Sequence, residues 1–253
     1  MDPLLDFTDK VVIVTGAAQG FGKLLSIELA KRGAKLVISD IKAEQVQDVG
    51  DTIAASGAEV YAMTCNVAKA NDCKAMVDKA VEVFGRVDIA VNNAGIAHDF
   101  GTIHEIDEDV MDLQFAVNVK GVQFGMKHQI SQMLQQGGGS ILNVSSMAGL
   151  CGAPLAGAYA AAKHAVIGLT KTAAVEYAKK NIRVNAICPF FTLTPMVTNI
   201  ADEELQQNLG RRAPIGRLAE PEEVVNTMLL MLSPGNTYFT GQSIAVDGAV
   251  SAM

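Results

Sequence analysis

Tryptophan is missing from this 253-residue chain, and cysteine, histidine and proline are scarce, at four, four and seven copies. The four cysteines, Cys65, Cys73, Cys151 and Cys188, form no C-x-x-C pair and stand at no metal-like spacing from histidine, so no metal site or dithiol centre is expected. A chain this long buries its own core without a disulfide framework, and the thiols are expected to be reduced, as in a cytoplasmic protein. Cys65 and Cys188 sit in or beside apolar runs and read as core. Cys151 follows a serine pair, but no histidine accompanies it as a nucleophile's base. Positive charge is also short: Lys and Arg total 20 against 27 Asp and Glu, a net charge of −7, and no basic run stands out. Nucleic acid and anionic membranes are therefore not expected partners. No uninterrupted apolar segment is long enough to cross a bilayer. The opening Met1-Asp2-Pro3-Leu4-Leu5-Asp6 lacks the basic and long apolar regions of a signal peptide. With 49% hydrophobic and 19% charged residues, the chain reads as globular rather than disordered.

What is present is an alternation of short β-branched runs and amphipathic helices. Lys10 to Thr15 predicts a buried parallel strand. Gly16-Ala17-Ala18-Gln19-Gly20-Phe21-Gly22 follows at once, and then an apolar stripe on a helix that stops at Gly33. Strand, glycine-rich turn and helix together suit a dinucleotide: glycines let backbone approach a pyrophosphate, and the helix start offers free N–H groups. Ala34 to Asp40 predicts a second strand ending in an acid, placed to accept hydrogen bonds from the ribose hydroxyls of NAD and to repel the 2′-phosphate of NADP. Asp40 also suits a loop cap, but the charge argument favours NAD. Further strands are expected over 59–65, 87–91, 139–145, 181–188 and 242–246, with helices over 43–56, 70–84 and 221–232. Asn66-Val67 sits where a loop reaches an adenine, though Asn66 also suits a helix cap. Asn92-Asn93-Ala94-Gly95 predicts a sharp turn with amide hydrogen bonds. Asn118 falls inside a helical pattern made by Met111, Phe115, Val119 and Phe124, as a paired core amide or a relay member. From Pro189 to Gly216 periodicity is weak, and a long irregular segment is expected to serve as a substrate loop.

The pattern predicts one doubly wound parallel sheet with helices on both faces, and ligands in such sheets bind beyond the strand C-termini. The glycine turn, Asp40, Asn92, Ser146 and Pro189 all fall at such ends. There too begins the helix carrying Tyr159 and Lys163, one turn apart on one face. An ammonium near a phenol favours the phenolate, and a serine hydroxyl nearby can hold the oxygen that the Tyr protonates. Of the histidines, His98 is near enough to this region to matter, while His104, His128 and His164 read as surface.

Thr15 to Gly22, Asn92-Asn93-Ala94-Gly95, Ser146 and Tyr159-x-x-x-Lys163, in this order, resemble the short-chain dehydrogenase/reductase family over essentially the whole length. The resemblance extends to Asn118, to Pro189 with Thr194, and to the closing Tyr238–Gly248 stretch. It implies a single Rossmann-like domain over 1–253 with about seven parallel strands, a substrate loop at about 190–216, and assembly as a homotetramer. It further implies Tyr159 as acid/base, Ser146 as the group polarising the substrate oxygen, with Ser145 supporting, and Lys163 as the residue that lowers the Tyr pKa and binds the nicotinamide ribose. Asn118 would hold a water linking Lys163 to solvent. Cofactor contacts would come from Gly16, Gln19, Gly20, Phe21, Gly22, Asp40, Asn66, Val67, Asn92, Ala94, Gly95, Tyr159, Lys163, Pro189, Thr192 and Thr194. Substrate contacts would come from Ser146, Met147, Tyr159, Phe190, Phe191 and Met196, with Ala97, His98 and Leu155 nearby. Two departures stand out: Phe190 replaces a common Gly after the proline, and Asn66 replaces a common Asp. The expectation is an NAD-dependent oxidoreductase interconverting a hydrophobic secondary alcohol and its ketone. The alternatives are a 3-oxoacyl-carrier-protein reductase and a non-catalytic NAD-binding scaffold.

Overall fold

Both faces of the strands are apolar, which requires helices on both sides. The computed structural model, which describes residues 2–253, has this arrangement. Its elements run β1 (Val11–Thr15), α1 (Gly20–Ala30), β2 (Lys35–Asp40), α2 (Ala43–Ala55), β3 (Val60–Thr64), α3 (Ala70–Phe84) and β4 (Ile89–Asn92). Then come α4 (Glu108–Gln114), α5 (Gly121–Gln136), β5 (Gly139–Val144), α6 (Gly157–Tyr177), β6 (Ile182–Pro189), α7 (Pro195–Thr198), α8 (Glu203–Gly210), α9 (Pro221–Leu232) and β7 (Ser243–Val246). The seven strands form one sheet in the order β3-β2-β1-β4-β5-β6-β7, every pair parallel. The order reverses between β1 and β4, which opens a crevice at their C-terminal ends.

Successive side chains of a strand enter opposite layers. Val12 and Val14 of β1 pack with Leu25 and Leu29 of α1, with α2 and with Val225 and Leu229 of α9. Val11 and Ile13 face the other layer, formed by α3, α5 and α6 through Met76, Val122, Met133 and Val166. Each such fully buried aliphatic side chain contributes roughly 1.5–3 kcal/mol, so the two layers hold the sheet rigid beneath the crevice. A third, small cluster of Val197, Ala201, Leu209 and Leu218 gathers α7 and α8. The segment after Pro189 is therefore not the irregular loop expected: it folds into two short helices with a core of their own. Among the described residues no helix is long and apolar enough to cross a membrane.

One local irregularity lies near the crevice. The helix expected through Asn118 is interrupted between α4 and α5 by a π-helical stretch, Phe115–Lys120. Such wide turns redirect side chains and occur often at functional sites.

Candidate active site

The turn from β1 into α1 needs its glycines for steric reasons. Gly16 has φ +66°, and a Cβ there would lie 2.8 Å from the Ala94 Cα. A Cβ on Gly22 would sit 2.2 Å from the Gly16 carbonyl oxygen. Gly20 also has positive φ (+54°), but a Cβ there would meet no clash, with Thr194 the nearest neighbour at an ordinary 3.7 Å. No side chain caps α1, whose N-cap is Gln19. Its first-turn N–H groups are thus left for an anion. Asn93 ties this turn to the end of β4: its Nδ2 donates to the Thr15 and Gly16 carbonyls at 2.9 and 3.1 Å. At the end of β2, the Asp40 carboxylate accepts the Ala18 N–H at 3.1 Å and the Lys42 N–H at 3.0 Å. It stands oriented at the rim of the same crevice. These features fit the phosphates and ribose of a nicotinamide dinucleotide.

The second half of the crevice is built where β5 meets α6. Ser145 Oγ donates to the Lys163 backbone carbonyl (2.9 Å), pinning strand to helix. Lys163 Nζ donates to the Val144 carbonyl (2.9 Å) and lies 5.5 Å from the Tyr159 ring centroid. Ser146 Oγ accepts the Ala148 N–H (3.1 Å), which turns the chain into a short 3-10 helix, Met147–Gly149. Gly149 permits this close approach, because a Cβ there would lie 2.6 Å from Ser145 Oγ. The serine pair thus divides its work: Ser145 is buried and structural, and Ser146 faces the crevice beside Tyr159.

Together these residues line one continuous cleft of about 710 Å³, from Asp40, Asn66 and Val67 at one end, past Gly16, Gln19, Gly20, Phe21, Ala94 and Gly95, to Ser146, Met147, Tyr159, Lys163, Pro189, Phe190, Phe191, Thr192, Thr194 and Met196. Phe190 and Phe191 pack edge to face with centroids 4.8 Å apart. The Phe190 N–H donates to the Val246 carbonyl, so this bulky residue follows the strand path and its ring becomes a cleft wall.

Four expected site residues lie off the cleft. Asn92 is 3% exposed, exchanges amide hydrogen bonds with Gln129 and donates to Asn143 Oδ1, because two buried amides in reach satisfy it better than a cleft rim would. Asn93, its neighbour, does the work at the turn. Gly22 lies beneath the glycine turn rather than in the cleft. Asn118, fully buried, bonds the Ile96 N–H and C=O and Gln114. Its Oδ1 and Lys163 Nζ both crowd Gly95, at 2.9 and 3.4 Å from a Cβ built there. Leu155 points to solvent, with φ +68°. Conversely Cys65, buried as expected, also touches the cleft, and Cys151 is exposed there. Among the described residues no cluster of His, Cys, Asp and Glu could hold a metal.

Burial dominates the electrostatics of the cleft. Burial pushes the Tyr159 phenol above its ordinary pKa, and a hydrogen bond from Ser146 pulls the other way. Burial also lowers Lys163 to about 8. Beside it, burial raises the Cys188 thiol to about 11, which keeps it inert.

A stability prediction follows from Lys163. Its folded pKa lies below that of the unfolded chain, so between about pH 8 and pH 10.4 the unfolded state binds the extra proton and stability rises with pH. Lys163→Met removes this dependence. The apo variant is expected to gain most on the wild type near pH 7 and to lose that advantage by pH 10, as read by denaturant unfolding across pH. A difference that stays flat over this range would contradict the burial argument.

Comparison with known proteins decides the family. A family model described as "Enoyl-(Acyl carrier protein) reductase" matches residues 16–251. The chain belongs to the short-chain dehydrogenase/reductase family. It is 39% identical to a cyclohexanol dehydrogenase of Acinetobacter sp. (strain SE19), over 97% of this chain and 96% of that one. A cis-4-hydroxycyclohexanecarboxylate dehydrogenase of Sinomonas cyclohexanicum is 37% identical, with 98% of each covered. Among solved structures, the 3-ketoacyl-(acyl-carrier-protein) reductase of Brucella melitensis complexed with NADH superposes with a TM-score of 0.91 at 32% identity, covering 97% of this chain and all of that one. As a short-chain dehydrogenase/reductase this chain is an oxidoreductase, and the family binds a nicotinamide cofactor.

Proposed function

We propose that the protein is an NAD-dependent dehydrogenase of hydrophobic, ring-bearing secondary alcohols, acting equally as a reductase of the matching ketones. The observation that carries this reading is the continuity of the cleft: the glycine turn and Asp40 occupy one end, and Ser146, Tyr159 and Lys163 the other. A bound nicotinamide supplies or accepts the hydride. Ser146 donates a hydrogen bond to the substrate oxygen and polarises it. Tyr159 moves the proton, giving it to the oxygen in ketone reduction and taking it in alcohol oxidation. Lys163, fixed by the Val144 carbonyl, places its positive charge beneath the phenol ring, where it stabilises the phenolate that forms after proton donation. Asn118 holds the backbone at Ile96, beside the cleft.

The substrate end is walled by Met147, Phe190, Phe191, Met196 and Ile200, which favours an apolar ring over a sugar. Two relatives named for cyclohexane-ring alcohols agree. The 3-ketoacyl reductase supplies the second reading, which would be preferred if an acetoacetyl thioester were reduced faster than any ring ketone.

Coenzyme choice rests on Asp40. The two backbone hydrogen bonds hold its charge where a ribose 2′-phosphate would be repelled. Steady-state kinetics are expected to favour NAD(H), and Asp40→Ser to move the NAD/NADP ratio of kcat/KM toward NADP by about tenfold or more. A wild-type preference for NADP(H) would sink this assignment, with Lys42 then the cation to consider.

A further inference from the structure

The cleft has two electrostatically different ends. Its one acid, Asp40, leaves β2 and is held by two backbone N–H groups. Ser146 follows β5 and Phe190 follows β6. Beyond β7, the chain at Gly248 packs on the segment after α8: the Ile215 N–H donates to the Gly248 carbonyl at 3.2 Å, and Ala213 and Ile215 crowd the glycine. Arg212 and Val250 enter the cleft wall from this junction, across the sheet from the glycine turn.

Arg212 differs from the cleft's other cations. Lys42 donates to Gln19 and Lys163 to the Val144 carbonyl. By contrast, Arg86 and Arg217 elsewhere are paired with Asp88 and Glu223. Among the described residues the Arg212 side chain has neither hydrogen bond nor ion pair, and no acid lines its end of the cleft. Arg212 is exposed, as is its equally unpaired neighbour Arg211, but Arg212 alone of the two lines the cleft, where its guanidinium presents a planar fork of donors, the shape that binds a carboxylate through two parallel hydrogen bonds.

We propose that Arg212 recognises a carboxylate on the substrate, on the side of the ring remote from the reacting hydroxyl. The proposal rests on the ring-alcohol reading above and narrows it to hydroxycycloalkane carboxylates and their keto acids. A guanidinium also binds phosphate, so the cofactor pyrophosphate is the competing occupant.

The test compares wild type, Arg212→Met, Arg212→Lys and the neighbouring control Arg211→Met. Turnover of 4-hydroxycyclohexanecarboxylate is measured against its carboxamide and read as a ratio of kcat/KM, so that any general loss cancels. Calorimetry on the NADH-loaded protein compares cyclohexanecarboxylate with cyclohexanecarboxamide, and NADH itself is titrated. Wild type and Arg211→Met are expected to favour the carboxylate about tenfold, the scale of one charge-assisted hydrogen bond. Arg212→Met should bring both ratios to about one, and Arg212→Lys should retain part of the preference, since a point charge lacks the fork. Equal ratios in the wild type, or a preference that survives Arg212→Met, would overturn the proposal. So would a loss of NADH affinity in Arg212→Met with the carboxylate preference intact, which would assign the residue to the cofactor phosphates. Should no ring alcohol turn over, the ring-alcohol reading fails while the calorimetric ratio still decides the role of Arg212.

Discussion

Tyr159→Phe is expected to lower turnover of a ring alcohol by about 10³-fold while leaving NADH bound as in the wild type. The substitution removes one oxygen and keeps the ring, so the packing of α6 survives. In the proposed mechanism that oxygen moves the proton, and it belongs to the one tyrosine among the described residues that lines the cleft, beside both Ser146 and Lys163. Nothing else can replace it. His98 lines the cleft, but its Nε2 faces the Tyr159 backbone N–H at 3.4 Å and its Nδ1 faces the Asp99 carbonyl, which commits both ring nitrogens. The Cys151 thiol lies against the Met147 carbonyl. Rapid-mixing turnover with an NADH-binding titration on the same sample checks the outcome, and retained turnover would remove Tyr159 from the mechanism.

Gly22→Ala carries the second large effect, and here two terms oppose each other. In a helix interior, alanine is favoured over glycine by about 1 kcal/mol. At Gly22 the added methyl would stand 2.2 Å from the Gly16 carbonyl oxygen and 2.6 Å from Asn93 Nδ2. Backbone cannot yield as a flexible side chain does, and overpacking of this kind costs about 1–3 kcal/mol. The clash wins, and relief comes by displacing the turn that meets the dinucleotide. Lower stability together with at least a tenfold loss of NADH affinity, by roughly the 1.4 kcal/mol equivalence, is the expected pair of results. Gly168→Ala in α6 is the control. No atom lies within 4 Å of its added methyl, so the same change should stabilise by about 0.5–1 kcal/mol. Equal effects at the two positions would mean that close approach at the glycine turn is not what Gly22 provides.

The fold was legible because its signals are local and repeated. Buried parallel strands advertise themselves as β-branched runs, and glycines mark the places where the chain turns with positive φ, as at Gly16 and Gly33. Tyr159 and Lys163 were legible because helical spacing fixes their common face. What escaped depends on long-range contacts. Asn92 and Asn93 are chemically identical and adjacent, and only the alternation of β4 decides which one faces Gln129 and which reaches the glycine turn. The π-helical stretch around Asn118 has no composition of its own, and the Ile96 backbone that its side chain bonds lies 22 residues away in sequence. The helices after Pro189 are short, and their cluster of Val197, Leu209 and Leu218 forms only in three dimensions. Arg212 gave no motif at all, because its meaning comes from the absence of a partner. The burial that raises the Tyr159 pKa was not legible either, because burial, unlike the distance to a charge, cannot be counted along a helix.

The most direct test of the account is a coupled measurement: NADH formation and ketone formation, followed together, when the protein is given NAD and a panel of cyclic, aromatic, aliphatic and steroid secondary alcohols. Equimolar NADH and ketone from a cyclic alcohol, reversed on adding NADH and the ketone, is the predicted result. Tight NADH binding with no turnover of any alcohol or ketone in either direction would contradict it and leave a dinucleotide-binding protein without catalysis.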